Sequence, residues 1–276
     1  MTTFEAIILG IIQGLTEFLP VSSSGHLVLL QQLLGIKEAE LFFDVCVHLG
    51  TLVAVSAVFH RDIKNMVAAL LRLISEAGKK ERALAAIRSD PELKMALLIV
   101  IGSIPTALIG LAFSGIADRL FSSVLIVGLM LMLTGSLLWL TRWTIRGARL
   151  PGIDRLNPKN AFFIGIVQGL AIVPGISRSG STISIGLLLG VEREMAARYS
   201  FLLSIPAIVG AGLLSFKDGL YEIDVSIKIP LVGAVTAAIV GYAALRALLQ
   251  VVKKGGLHMF APYCWLVGSV AIILGW

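Results

Sequence analysis

The sequence predicts an all-α polytopic membrane protein, built as an inverted-topology repeat with six transmembrane helices and two re-entrant helix-loop-helix hairpins. Of the 276 residues, 57% are hydrophobic and only 14% are charged, whereas about 25% of the residues of a soluble domain are charged. Several apolar runs reach the ~20 residues that a helix needs to cross a bilayer. A polar motif in the first apolar region also recurs near the middle of the chain. One integral membrane domain over residues 1–276 is therefore expected.

The first hairpin is predicted over residues 3–35. Its two apolar half-helices, Ala6–Leu15 and Leu27–Leu34, are each too short to span a bilayer, and Pro, Ser and Gly residues between them break the helix. The second hairpin pairs Ala161–Val173 with Ser181–Leu189. Lipid would penalise the polar groups of both loops unless protein or water surrounded them, so both loops are candidate functional sites.

Three full-length spans are predicted after each hairpin. They lie at residues 42–60, 93–113, 122–141, 197–216, 229–250 and 258–276. The repeats then cover about 1–143 and 158–276, and an odd number of spans per repeat gives the two copies opposite orientations. The charged linker Arg61–Glu92 contains Met66–Ile74, which is predicted to form an amphipathic helix on the membrane surface. Aromatic residues near span ends are typical of interfacial belts; these are Trp139, Trp143, Tyr263 and Trp276.

The distribution of Lys and Arg favours this topology. With both hairpins re-entrant, Lys37, Arg119, Lys217 and Lys228 fall on one side, Arg178 lies within the membrane, and every other Lys and Arg falls on the opposite side. If both broken segments instead crossed fully as Pro-kinked helices, the asymmetry would be smaller. The positive-inside rule places the cation-rich side in the cytoplasm and both termini outside.

The first loop, QGLTEFLPVSSSGH at residues 13–26, begins with a pair of oxygen ligands. Gln13 lies one helical turn before Glu17, so an amide oxygen and a carboxylate can both ligate a hard divalent cation such as Mg²⁺ or Ca²⁺. Substrate oxygens and water would have to complete the coordination shell. The alternative is that Glu17 is a neutral acid, hydrogen-bonded inside a helix bundle.

Three hydroxyl groups follow, those of Ser22, Ser23 and Ser24. Serine beside a helix usually caps it, and here the helix is expected to start near Gly25. Capping needs only one of the three, so the others are candidate phosphate ligands.

The nucleophile is predicted to be Ser23 or His26. Hydroxyls, an imidazole and the acid Glu17 supply the parts of an activated-oxygen nucleophile, although His26 can also be read as a satisfied polar group at a helix start. Ser23 is favoured because it corresponds to Arg178 when the two repeats are aligned. His26 would then take the hydroxyl proton or protonate the leaving phosphate.

The second loop, QGLAIVPGISRSGST at residues 168–182, carries the arginine. Arg178 lies at the N-terminus of a half-helix, where free N–H groups and the helix dipole favour an anion, and its guanidinium matches phosphate oxygens bidentately. Further hydroxyl and amide donors are Ser177, Ser179, Gly180 and Thr182. The alternative role of Arg178 is that of a counter-ion for Glu17.

The two loops together offer an acid, a nucleophile and an anion cradle, which suit hydrolysis of a phosphate ester or anhydride on a lipid. The runs EFLPVSSSGH at 17–26 and PGISRSG at 174–180 closely resemble the two signature motifs of the bacterial undecaprenyl-diphosphate phosphatases, the bacitracin-resistance family. The resemblance covers nearly the whole chain. It implies that an enzyme of the cytoplasmic (inner) membrane removes one phosphate from undecaprenyl diphosphate on the outer side. The carrier lipid is thereby recycled for peptidoglycan synthesis, with a divalent cation.

The resemblance also implies functional positions, which are Glu17, Ser23, His26 and Arg178. Two positions depart from the family pattern, because Gln13 stands where many relatives have Glu and Ser24 where many have Thr. This bears on the strength of metal binding and not on the reaction.

A secondary transporter or flippase of a phosphorylated lipid is the alternative function, since inverted repeats with broken helices are typical of transporters. It would need an anion site but no nucleophile. The expected partners are a polyprenyl diphosphate and the bilayer, and a homodimer is compatible with the sequence. No nucleic acid is expected, because the net charge of +6 comes from loops beside the spans.

Overall fold

The computed structural model describes residues 1–33, 41–75, 89–113, 115, 123–144, 156–219 and 227–275. Within these residues the chain is helical and contains no strand. The helices are α1 (Thr3–Phe18), α2 (Ser23–Leu33), α3 (Leu41–Val58), α4 (His60–Ser75), α5 (Pro91–Phe113), α6 (Val124–Leu140), α7 (Pro158–Leu170), α8 (Arg178–Leu188), α9 (Arg193–Gly219), α10 (Lys228–Lys253) and α11 (Ala261–Leu274). Short 3₁₀ turns over Thr141–Trp143 and Leu257–Phe260 follow α6 and precede α11.

Five of the described helices, α5, α6, α9, α10 and α11, are long and apolar enough to cross a membrane, and α3 with α4 forms a sixth candidate. Large apolar side chains on these helices face outward, including Leu108, Ile239 and Ile273, which are 65%, 68% and 73% exposed. Such surfaces are stable in lipid rather than in water. The predicted all-α multi-pass membrane protein is confirmed, and the six predicted spans overlap α3, α5, α6, α9, α10 and α11.

The amphipathic helix predicted at Met66–Ile74 is part of the longer helix α4, which turns by 80° from the direction of α3. Its inner face buries Met66 and Ala69. Asp62 of α4 and Glu92 of α5 both pair with Arg198 of α9, whose Nη2 lies 3.0 Å from Glu92 Oε2. These contacts fix α4 against the helix bundle. The rest of the predicted linker, residues 76–88, lies outside the described residues.

Glycine contacts allow two pairs of helices to pack closely. α1 packs along α10, and a Cβ added at Gly10 would lie 2.6 Å from the carbonyl oxygen of Gly233. α7 packs along α5 in the same way, with Gly165 against the backbone of Gly102. A side chain at either position would push the helices apart, and with them the loops that follow α1 and α7.

Helix α1 extends three residues beyond the predicted half-helix at each end, and α2 starts four residues earlier than Leu27. The break falls at Ser22, which adopts a left-handed conformation with φ of 70°. Its hydroxyl accepts a hydrogen bond from the N–H of Gly25 at 3.2 Å, which satisfies a free donor in the first turn of α2. Ser23 is therefore the first residue of a helix, whereas the sequence placed it in the loop.

The second hairpin breaks in the equivalent way. Helix α7 ends at Leu170, three residues before its predicted end, and α8 starts at Arg178, three residues before its predicted start. The N-cap is Ser177, whose hydroxyl accepts from the N–H of Gly180 at 3.1 Å. Arg178 and Ser23 thus occupy the same position in their helices.

Candidate active site

The loop between α1 and α2 lies directly against the loop between α7 and α8. The hydroxyl of Ser22 accepts a hydrogen bond from the N–H of Gly175 at 3.1 Å. Thr134 of α6 holds the second loop from the other side, because its Oγ1 donates to the carbonyl of Gly175 at 2.9 Å and accepts from the N–H of Ser177 at 3.0 Å. Gly175 has a φ of 96°, and a Cβ there would clash with the backbone of α6. Only glycine suits this contact without strain.

Glu17 is the centre of the polar cluster formed by these loops. Its Oε1 accepts a hydrogen bond from Nη2 of Arg178 at 2.5 Å. Its Oε2 accepts from the hydroxyl of Ser23 at 2.6 Å and from Nε2 of Gln13 at 3.0 Å. Three donors around two oxygens suit a carboxylate, whereas a neutral acid would itself donate one hydrogen bond. The side chain is only 6% exposed, so the ion pair with Arg178 is shielded from solvent.

The guanidinium of Arg178 is only partly used by Glu17. Its Nη1 is buried and has no hydrogen-bond partner among the described residues. Buried donors in folded proteins are nearly always paired, so an unpaired one points to a missing ligand. One edge of the guanidinium therefore remains available to bind an anion such as phosphate.

The other predicted phosphate ligands are mostly engaged within the protein. Thr182 donates to the carbonyl of Arg178 at 2.7 Å and contacts the hydroxyl of Ser200 at 2.5 Å, so it faces α9. The Ser177 hydroxyl and the Gly180 N–H form the cap of α8. The hydroxyl of Ser179 lies 3.3 Å from that of Ser177, and the hydroxyl of Ser24 lies 3.4 Å from that of Ser22. Of the predicted set, Gln13, Glu17, Ser23 and Arg178 come together directly.

His26 is directed away from Ser23. Its Nδ1 lies 2.8 Å from the carbonyl oxygen of Ser22, and its Nε2 lies 2.7 Å from the hydroxyl of Tyr263 in α11. The two rings are parallel within 7°, with centroids 5.7 Å apart. The sequence assigned Tyr263 to an aromatic belt, but its position beside the site makes it a partner of His26. Both imidazole nitrogens are therefore occupied, and Ser23 pairs with Glu17 instead.

His48 of α3 is a further residue of the cluster, which the sequence analysis missed. Its Nε2 lies 3.7 Å from Oε2 of Glu17, and its Nδ1 lies 2.7 Å from the carbonyl oxygen of Asp44. The available signal was an imidazole inside a predicted span, where a polar side chain is costly and usually functional.

A divalent cation fits this cluster only if the protein and the substrate both contribute ligands to it. Among the described residues, no group of three or more His, Cys, Asp or Glu side chains could hold a metal. However, Oε1 of the fully buried Gln13 has no hydrogen-bond partner within the described chain, and Nε2 of the same amide lies 3.0 Å from Oε2 of Glu17. These oxygens suit a hard cation that takes its other ligands from a bound diphosphate.

Comparisons with known proteins identify the family. The family described as "Bacitracin resistance protein BacA" matches residues 6–270. A protein of Desulforapulum autotrophicum named undecaprenyl-diphosphatase is 52% identical over 275 residues, covering 100% of this chain and 99% of its own length. Proteins of the same name from Desulfatibacillum aliphaticivorans and Methanosphaera stadtmanae are 50% and 44% identical, covering 99% and 98% of this chain and 99% and 97% of their own lengths. The chain therefore belongs to the bacitracin resistance protein BacA family.

Proposed function

We propose that the protein is an undecaprenyl-diphosphatase, which hydrolyses undecaprenyl diphosphate to the monophosphate and inorganic phosphate. This activity recycles the carrier lipid for peptidoglycan synthesis and confers resistance to bacitracin. The observation that carries the proposal is the hydroxyl of Ser23, hydrogen-bonded to Glu17 at 2.6 Å beside a guanidinium with a free edge. A transporter or flippase needs an anion site but no such hydroxyl–carboxylate pair. Release of phosphate from undecaprenyl diphosphate by the purified protein in detergent tests the proposal, and substrate binding without release would contradict it.

The reaction proceeds through a phosphoserine. Ser23 Oγ attacks the terminal phosphorus while its proton passes to Oε2 of Glu17, and the bond from that phosphorus to the bridging oxygen breaks. Undecaprenyl monophosphate leaves with the bridging oxygen. Water then attacks the phosphorus of the phosphoserine, the bond from that phosphorus to Ser23 Oγ breaks, the proton held by Glu17 returns to Oγ, and inorganic phosphate leaves. Arg178 holds the phosphoryl oxygens throughout, because its charge and fork match them in the ground state and the transition state.

Glu17 and Gln13 are the residues that would hold a divalent cation, Mg²⁺ or Ca²⁺, with oxygens of the diphosphate supplying further ligands. When bound, the cation neutralises charge on the substrate and polarises its phosphoryl oxygens. The sequence predicted this pair from its helical spacing, and the unpartnered Oε1 of Gln13 supports it.

Gln13→Glu is expected to retain activity and to lower the cation concentration that gives half-maximal activity, because a second carboxylate adds charge to the site. Excess chelator should abolish activity of both proteins. Phosphate release at a series of Mg²⁺ and Ca²⁺ concentrations measures both effects. Gln250→Glu adds the same charge at an exposed position and serves as the control.

Two outcomes would contradict this cation site. Full activity in excess chelator would show that the reaction needs no divalent cation. Severe loss of activity in Gln13→Glu would show that Gln13 acts mainly as the amide donor to Glu17 Oε2, to which its Nε2 already donates.

The two halves of the chain form an inverted repeat in the cytoplasmic membrane, with both hairpins re-entrant and the site open to the outer side. Matched packing supports this proposal. In the aligned repeats α7 corresponds to α1 and α10 to α5, so the contact of α1 with α10 has its equivalent in that of α7 with α5. The corresponding pairs α3 with α9 and α6 with α11 also pack on each other. The skewed distribution of Lys and Arg gives the orientation.

Cysteine labelling tests the topology. Single cysteines at Thr2 and in the 218–226 loop are expected to react with an impermeant reagent added outside whole cells, whereas cysteines at Lys79 and Gly147 are not. The background lacks Cys46 and Cys264. Lys79, Gly147 and residues 220–226 lie outside the described residues. Labelling at position 79 from outside, with membranes shown to be intact, would show that the protein has the opposite orientation.

A further inference from the structure

We propose that His48 is a third protein ligand of the divalent cation, beside Glu17 and Gln13, and that the site therefore binds Mn²⁺ and Co²⁺ more tightly than Mg²⁺. This inference rests on the cation of the proposed function and adds a residue to its site. The imidazole of His48 in α3 has no role in the reaction described above, yet its Nε2 is directed toward Glu17.

The hydrogen bond at Nδ1 fixes the tautomer of His48. Nδ1 lies 2.7 Å from the carbonyl oxygen of Asp44, and a carbonyl can only accept, so Nδ1 carries the proton. In the neutral ring, which is the form that binds a metal, Nε2 then presents its lone pair to the cluster. Metal-binding histidines show the same arrangement, because their second ring nitrogen almost always donates to a carbonyl, a carboxylate or water.

The lone pair of His48 Nε2 faces an oxygen of Glu17. The two atoms are 3.7 Å apart, which is longer than a hydrogen bond. When Nε2 is unprotonated, a cation bound between the two atoms makes this contact favourable. Oε1 of Glu17 pairs with Arg178, and Oε2, which accepts hydrogen bonds from Ser23 and Gln13, is the oxygen on the side of His48.

The amide of Gln13 provides the second, independent observation. Gln13 is fully buried, its Oε1 has no partner among the described residues, and its Nε2 lies 3.0 Å from Oε2 of Glu17. Turning the amide by 180° would bring Oε1 to this position. Neighbouring ligands of an octahedral cation with bonds of about 2.1 Å lie about 3.0 Å apart, so the spacing suits two oxygens on one ion.

An imidazole ligand changes which cation the site prefers. Carboxylate and carbonyl oxygens suit Mg²⁺ and Ca²⁺, whereas imidazole nitrogen raises affinity along the series from Mn²⁺ to Co²⁺ and Zn²⁺. Among Gln13, Glu17 and His48, Glu17 supplies the single carboxylate. The imidazole of His48 supplies a ligand without adding negative charge, so affinity depends on the nitrogen more than in a two-carboxylate site.

The test is direct Mn²⁺ binding to the purified full-length protein in detergent with methylenediphosphonate as the diphosphate probe. Free Mn²⁺ is titrated by electron paramagnetic resonance, and electron spin-echo modulation reports ¹⁴N in the first shell. We expect a ¹⁴N coupling in the wild-type protein. His48→Ala should remove it and weaken Mn²⁺ binding by about 10- to 100-fold or more, the range for lost support of a metal ligand.

His60→Ala is the matched control. His60 also has Nδ1 near a backbone carbonyl, that of Ala57 at 2.9 Å, but it is exposed and lies at the start of α4. It should keep both the ¹⁴N coupling and the affinity. The wild-type spectrum needs no variant, so it tests the ligand even if His48→Ala does not fold.

The outcomes separate this inference from the proposed function. Tight Mn²⁺ binding without ¹⁴N coupling, or a coupling unchanged in His48→Ala, would overturn the role of His48 and make it an ion-pair partner of Glu17. Failure of the wild-type protein to bind Mn²⁺ would overturn it as well. Phosphate release from undecaprenyl diphosphate is assayed on the same preparations. Its absence beside an intact ¹⁴N-coupled site would contradict the proposed function and leave the ligand assignment in place.

Discussion

Arg178→Ala is expected to lower kcat/KM for undecaprenyl diphosphate by about 10³-fold or more, the range for an arginine or an oxyanion donor on a transferred phosphoryl group. Arg178 binds charge that is present in the substrate and grows in the transition state, so KM should rise and kcat should fall. Its buried, unpartnered Nη1 is the donor we assign to the phosphate. Steady-state phosphate release in detergent measures both constants.

Loss of the guanidinium also leaves Glu17 without its partner inside the protein. Breaking a buried ion pair from one side costs about 3–5 kcal/mol of stability, so reduced activity alone could reflect unfolding. Arg178→Lys keeps the positive charge but loses the planar fork. It should retain the thermal stability of the wild-type protein and still lose most of its activity.

Arg246→Ala removes an exposed arginine whose Nη1 donates to the hydroxyl of Tyr242 at 3.0 Å, away from Glu17, and it should leave both constants unchanged. Binding of phosphate by Arg178 is refuted if folded Arg178→Ala keeps its KM and loses less than about tenfold in kcat. Arg178 would then be a counter-ion for Glu17, which is the role its 2.5 Å contact already allows.

The helices of this protein could be predicted from sequence because lipid imposes a simple length and composition rule. Each predicted span overlaps an observed helix, and the predicted surface segment lies within α4. The starts of the second half-helices, α2 and α8, were wrong by four and three residues. They are set by Ser22 and Ser177, whose hydroxyls cap α2 and α8, and capping depends on side-chain geometry that a run of serines does not specify.

The site was predictable where its residues share a motif. Gln13 and Glu17 are one helical turn apart, and Ser23 follows within the same loop, so local spacing places them together. The contact of Glu17 with Arg178 joins two loops 161 residues apart. The repeat suggested it only because both loops break at equivalent positions.

His48 and Tyr263 could not be assigned from sequence because each lies alone on a span. A single histidine or a tyrosine near a helix end has common explanations, and only packing shows what it faces. Helix α3 turns His48 toward Glu17, and α11 brings the Tyr263 hydroxyl to 2.7 Å from His26. This second contact bears directly on which residue is the nucleophile.

Ser23→Ala is expected to lower kcat by about 10³-fold or more, because the attacking atom is lost, while KM changes little, since one hydroxyl contributes little to binding in the ground state. The Ser23 hydroxyl already lies 2.6 Å from Glu17 Oε2, a base within reach of its proton. Both nitrogens of His26 are occupied by Ser22 and Tyr263. Rapid-quench measurement of the single-turnover rate isolates the chemical step.

Ser24→Ala is the matched control, since Ser24 is the adjacent, half-buried serine whose hydroxyl lies 3.4 Å from that of Ser22. It should remain within about tenfold of wild-type kcat. Tyr263→Phe releases Nε2 of His26 while keeping the stacked ring. If His26 were the nucleophile, this change should raise the rate of phosphoenzyme formation, and with Ser23 as nucleophile it should not.

Trapping the intermediate decides between the two residues. Denaturing the enzyme during turnover of a substrate labelled on its terminal phosphate should give an acid-stable phosphoserine at position 23, which is lost in Ser23→Ala. An acid-labile phosphoramidate at position 26, with Ser23→Ala retaining about a tenth or more of wild-type kcat, would make His26 the nucleophile. Because the hydrogen bond to Tyr263 would then have to break before each attack, that result would also make α11 a moving part of the catalytic cycle.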